Sequence, residues 1–107
     1  MLQSIRDGDS VIVRLAGELD HYCAQSVRRE LDGLIADRSV RWLVLDFSRL
    51  QFMDSSGIGV ILGRYRQLRD RGGQVGVVNM NEHITRIFRM SGMDRVIRNL
   101  DRKEAAQ

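Results

Sequence analysis

One run, Asp54-Ser55-Ser56-Gly57-Ile58-Gly59, concentrates reactive and small side chains. It follows an apolar step, Phe52-Met53, and precedes a helical repeat of Ile58, Ile61, Leu62, Tyr65 and Leu68. The run therefore opens a helix. The first turn of a helix has unpaired backbone N–H groups and partial positive charge. A serine there serves as a cap. Two adjacent hydroxyls exceed what one cap requires, and Gly57 and Gly59 each cost about 1 kcal/mol of helix propensity against alanine. Small residues in that turn let another molecule approach Ser55 and Ser56. Gly59 and Gly63 also suit close packing of the helix on a sheet.

The other chemically capable residues lie earlier. Asp20 and His21 stand just before a second helical repeat, Val27, Leu31, Leu34 and Ile35, which Asp20 or a neighbour can cap. Asp20 and Asp54 make a candidate carboxylate pair, but a paired-carboxylate hydrolase needs a cleft that a chain this short barely provides. Neither His21 nor His83 can be assigned as a base for a serine. There is no GxxxxGK[ST], no GxSxG and no HExxH spacing, and Gly57-Ile58-Gly59 lacks the third glycine of GxGxxG. Cys23 is the only cysteine, so an internal disulfide and a cysteine zinc knuckle are excluded; it reads as a small, half-buried side chain. No catalytic residue, metal site or resident cofactor is expected.

The 107 residues suffice for one domain spanning 1–107. Charged residues make up 29% and hydrophobic residues 43%, which argues against disorder. Net charge is +3, and every basic residue except Lys103 is arginine, interleaved with acids rather than blocked as in a nucleic-acid binder. The cluster Arg64, Arg66, Arg69 and Arg71 reads as a solvated helix surface. No apolar run is long enough to span a membrane and no signal-peptide core is evident, so a cytoplasmic, soluble protein is expected.

These residues need a frame. Residues 2–6 and 11–15 read as strands joined by a type I′ turn at Asp7-Gly8. Residues 17–20 lead into the first helix. Residues 42–45, closed by Asp46, are continuously apolar, as in a central strand covered on both faces. The second helix ends at Gly72-Gly73. Residues 74–78 form another buried strand, and a third helix carries Ile84, Ile87 and Phe88 and stops near Gly92. Val96-Ile97 reads as a last strand; residues 101–107 form a polar tail, helical or frayed. Helices alternating with buried strands predict an α/β fold: a small mixed, mainly parallel sheet with an N-terminal hairpin and three to four helices.

On this frame the chain resembles the STAS domain family, and within it the anti-sigma factor antagonists of the SpoIIAA type. The resemblance lies in the segment from Leu15-Ala16-Gly17-Glu18-Leu19-Asp20-His21, in Leu43-Val44-Leu45-Asp46, in Phe52-Met53-Asp54-Ser55-Ser56-Gly57-Ile58-Gly59 with the residues after it, and in Ile87-Phe88-Arg89-Met90-Ser91-Gly92-Met93. It implies a regulatory binding module, not an enzyme. In that family the first serine of the DSSG motif, here Ser55, is phosphorylated by a partner that is both serine kinase and anti-sigma factor. Asp20 and Asp54 correspond to the family's aspartates before the two helices. The resemblance places Asp20, His21, Asp54, Ser56, Gly57, Ile58 and Gly59 on the partner surface. It implies that the unphosphorylated form binds the anti-sigma factor and frees a sigma factor, in sporulation or stress response. A separate serine phosphatase restores that form. ATP and magnesium belong to the kinase, and neither nucleic acid nor membrane is a partner.

Alternatives remain at this point. The same fold could serve as a scaffold or regulatory subunit of a different stress-signalling kinase complex. A small nucleotide-binding protein could use the Ser55 helix N-terminus as an anion site. A response-regulator receiver would use Asp46, but the chain lacks the acidic pair after its first strand and the lysine after its last.

Overall fold

In the computed structural model, residues 1–101 are described; the predicted tail, apart from Asp101, lies outside the described residues. The chain runs β1 (Leu2–Asp7), β2 (Ser10–Leu19), α1 (Ala24–Ile35), β3 (Trp42–Met53), α2 (Ser55–Arg69), β4 (Gln74–Val78), α3 (Glu82–Met90), a 3₁₀ turn (Met93–Arg95) and β5 (Arg98–Asn99). The strands form one sheet in the order β1-β2-β3-β4-β5. Only the β1–β2 pair is antiparallel. The α/β class, the mixed sheet and the hairpin at its edge are as expected from the sequence.

The hairpin turn differs in detail. Asp7 pairs with Ser10, so the two-residue loop is Gly8-Asp9. Gly8 has φ +61°, while Asp9 is not left-handed, which is the pattern of a type II′ turn and not type I′. Strand β2 also runs through Gly17 to Leu19 rather than ending at Leu15.

Strand β3 is a single strand of 12 residues, Trp42–Met53, where the sequence suggested a strand only over 42–45, closed by Asp46. Between the pairs Arg14↔Asp46 and Ala16↔Arg49, β2 advances two residues and β3 three; between Gly17↔Leu50 and Glu18↔Phe52 the mismatch recurs. Each extra residue is a bulge in β3. The bulges bring Phe47, Leu50 and Met53, spaced by three, all to the inner face, where each is at most 1% exposed. A period-2 reading cannot register that spacing.

Sequential parallel strands with right-handed crossovers place α1, α2 and α3 on one face of the sheet. Burial agrees: Val11, Val13, Leu15, Leu43, Leu45, Val75 and Val77 share one core with the inward residues of all three helices. The opposite face is more open than the apolarity of residues 42–45 implied. On that face Ile12, Trp42 and Val44 are half-buried, and Ile5 is 64% exposed. The last strand is Arg98–Asn99, not Val96-Ile97; Ile97 instead drops into the core as the chain leaves the 3₁₀ turn.

Helix α2 also sits differently from its apolar pattern. Its buried stripe is Gly57, Val60, Ile61, Arg64 and Leu68. Arg64 is therefore not on a solvated surface. Its Nε lies 3.1 Å from Asp32 on α1, without hydrogen-bond alignment, and its Nη1 has no partner among the described residues. Burial pushes the guanidinium below its ordinary pKa, the Asp32 charge opposes that, and Arg28 adds to it. Arg71 is half-buried as well, reaching the carbonyl of Val40 at 3.2 Å. The helix closes with Gly72 at φ +80°, the Gly73 amide donating to Leu68 O at 2.6 Å and the Gly72 amide to Arg69 O at 3.0 Å. This is the Schellman arrangement, which requires a left-handed residue at Gly72.

Candidate functional site

The C-terminal ends of β2 and β3 meet at the pair Leu19↔Met53. Asp20 follows one member and Asp54 the other, so the topology sets two aspartates side by side at the carboxyl edge of the parallel sheet. The Asp54 amide donates to the Leu19 carbonyl at 3.3 Å and extends the pairing.

Asp54 is the N-cap of α2. Its φ of −111° and ψ of −170° are extended, and Oδ1 accepts from the amides of Ser56 at 2.9 Å and Gly57 at 3.3 Å. The cap is thus the aspartate and not a serine, because Asp54 alone stands outside the helix with its carboxylate turned back over the first turn. Asp20 uses the same geometry one element earlier. Its Oδ1 accepts from the amides of Tyr22 at 3.0 Å and Cys23 at 3.3 Å, while its carbonyl receives the Ala24 amide at 2.9 Å. It closes the turn ahead of α1, whose formal N-cap, Cys23, makes no side-chain cap. The Cys23 thiol instead donates to Glu18 O at 3.0 Å and is half-buried.

With capping assigned to Asp54, both serines are relieved of it. Ser55 is exposed at the first position of α2, and its hydroxyl makes no hydrogen bond among the described residues. Ser56 is half-buried beside it. The amides best placed to receive an added phosphate, those of Ser56 and Gly57, are already held by Asp54. A phosphoryl group on Ser55 would therefore stand outside the cap beside existing carboxylates. The helix end is less of a ready anion seat than its position in the sequence suggests.

Gly57 explains why the turn lies so close to the sheet. A Cβ there would stand 2.5 Å from Leu19 O and 2.8 Å from both Leu19 Cγ and Met53 Cγ. Gly57 is buried against its own strands and contributes to a partner surface only by holding the turn in place. Gly59 is exposed with nothing within 4 Å of a built Cβ, and Gly63 likewise touches nothing. The close approach thus belongs to Gly57, while the expected packing role of Gly63 is absent. Ile58 is half-buried, and His21 is exposed with its ring 4.1 Å from Tyr22.

Two exposed aromatics border the site and escaped the sequence reading. Tyr22 is 87% exposed and Phe52, two residues before the cap, is 41% exposed. Phe52 stacks on His83 of α3 at 6.3 Å, which joins the Ser55 face to the third helix. Their signal was present: large aromatics beside polar motifs, Tyr22 in the turn before α1 and Phe52 next to the inward Met53 on β3. Met90 is 81% exposed, whereas Met93 is fully buried in the core. Among the described residues no group of three or more His, Cys, Asp or Glu is placed to hold a metal, and no helix is long and apolar enough to cross a membrane.

The profile of the STAS domain family matches residues 2–106. The chain belongs to the STAS domain family. It is 45% identical over 87 residues to an anti-sigma F factor antagonist of Paenibacillus polymyxa, covering 81% of this chain and 74% of the relative. It is 31% identical over 90 residues to an anti-sigma-B factor antagonist of Bacillus subtilis, covering 83% and 80%. Among solved structures, the Bacillus cell fate determinant SpoIIAA in its phosphorylated form superposes with a TM-score of 0.74 at 32% identity, over 99% of this chain and 96% of that one. This STAS chain thus shares its fold with SpoIIAA, and it is similar in sequence to proteins named as anti-sigma factor antagonists.

Proposed function

We propose that this STAS chain is an anti-sigma factor antagonist switched by phosphorylation of Ser55. The unmodified form binds an anti-sigma factor that is also a serine kinase, and so frees a sigma factor. Phosphorylation ends the binding, and a serine phosphatase restores it. The chain performs no catalysis; ATP and magnesium are the kinase's.

The observation that carries this reading is the exposed hydroxyl of Ser55, uncommitted to capping, beside two aspartates whose carboxylates hold the starts of α1 and α2. The relatives named as anti-sigma factor antagonists and the solved phosphorylated form of SpoIIAA support it. A kinase can reach Ser55 without unfolding the chain. The added charge then acts on docking: a partner that covers the site must desolvate a doubly charged group next to Asp54 and Asp20. A cost of about 3 kcal/mol weakens binding on the order of a hundredfold. Asp20, His21, Asp54, Ser56, Ile58 and Gly59 form the contact surface in this reading, with Tyr22 and Phe52 as its aromatic anchors.

The test is recovery of the tagged chain from its source cells with its bound proteins. The reading expects a protein with serine kinase activity in the eluate, and phosphate mapped to Ser55 in the chain that lacks it. Phosphate mapped elsewhere, or no such kinase in either state, contradicts it.

A further inference from the structure

A hollow of about 470 Å³ lies between α3, the 3₁₀ turn and β5, and a second of about 510 Å³ runs along α3; they share Met80, Thr85 and Arg89 and so form one groove. Its floor is apolar, with Phe88 and Ile97 each 2% exposed beneath it. Its rim carries Arg86, Arg89, Arg95 and Arg98 against Glu82 and Asp94. No carboxylate of a described residue lies within 4.0 Å of any of these four guanidinium groups. Arg89 stands in the last turn of α3, where a cation is favoured without any ligand. That explanation does not extend to Arg86 in mid-helix or Arg98 on β5. Met90 and Val96, 81% and 42% exposed, add apolar surface to the same rim.

We infer that this groove is a second docking surface, for an acidic, amphipathic segment of a partner protein. Guanidinium groups pair with carboxylates in a bidentate fork, and the apolar floor takes the aliphatic side chains between them. Two joined hollows along a helix suit an extended or helical segment better than a small ion. The inference does not depend on the Ser55 reading, since no groove residue belongs to the DSSG run.

The test uses the full chain and a fluorescein-labelled peptide of Glu-Leu-Leu-Glu repeats, followed by fluorescence anisotropy. The expected result is saturable binding that weakens with added salt and is lost when Gln replaces Glu in the peptide. Arg89→Gln with Arg98→Gln should weaken it roughly tenfold, the sum of two surface charge contacts. Val96→Ser should weaken it further. Arg29→Gln with Arg38→Gln, which removes the same charge elsewhere, should leave it unchanged. An equal loss in that control, or undiminished binding in the groove variant, overturns the proposal. So does a dimer in sedimentation that the groove variant abolishes, because the occupant is then a second copy of this chain.

Discussion

Asp20 and Asp54 do the same work at adjacent places: each follows one member of the Leu19↔Met53 pair, and each turns one carboxylate oxygen onto the amides two and three residues ahead. The parallel sheet thereby starts two helices at one edge, and Ser55 occupies the first position of the second. Chemistry at that edge is possible because the scaffold has already satisfied its own helix ends. A hydroxyl that caps nothing can be esterified at little cost to the fold.

The glycines of the DSSG run should separate by experiment. Gly57→Ala forces a Cβ against the Leu19 carbonyl, and overpacking of this kind costs about 1–3 kcal/mol. Gly59→Ala meets open space and should gain up to about 1 kcal/mol from helix propensity. Urea titrations of the two variants should shift their midpoints in opposite directions.

Asp54→Ala removes the cap of α2 and should cost about 0.5–2 kcal/mol, whereas Ser56→Ala should leave the thermal midpoint nearly unchanged. A larger loss from the serine variant would contradict the assignment of the cap to Asp54.

Arg64 brings a charge into the α1–α2 contact with Nη1 unbonded. Arg64→Met keeps the bulk, removes the desolvated charge and releases Asp32, which is 42% exposed, to solvent. Replacing such a group by an apolar one of similar shape is neutral or stabilising. Arg64→Met should match or exceed the parent in a urea titration, while Arg64→Ala, which leaves a void, should fall below both.

Acid should act through Asp37. The Ser39 hydroxyl at 2.7 Å, the Ser39 amide at 2.9 Å and Arg6 hold its carboxyl down to about 2. A depressed carboxylate contributes stability above its unfolded pKa of about 4 and loses it as pH falls through the folded value. Stability measured against pH should therefore decline between about 4 and 2, and Asp37→Asn should flatten part of that slope. Asp46 adds to it: burial pushes its carboxyl up, but the Ser48 amide, Asn79 and Arg14 outweigh burial and hold it below its ordinary value.

The alternation of helices and apolar strands in the sequence was enough to read the α/β class, the edge hairpin and the start of α2. What it concealed has local causes. The two bulges that put Phe47, Leu50 and Met53 on one face break the strand period, so only the first part of β3 read as a strand. Arg64 occupies a core stripe at Val60, Arg64 and Leu68 that an apolar-only pattern skips. The place of Ser55 at the start of α2 was legible because the residues that mark that start are its neighbours in sequence. The cap by Asp54 and the approach of Leu19 to Gly57 depend on the pairing of β2 with β3, which no local spacing contains.

The central claim concerns docking and not folding. Calorimetric titration of the anti-sigma partner into the unmodified chain and into the chain phosphorylated at Ser55, with thermal melts of both forms, tests it most directly. The account predicts saturable binding by the unmodified form, a loss on the order of a hundredfold on phosphorylation, and melting temperatures that nearly coincide. Equal affinities for the two forms would contradict it.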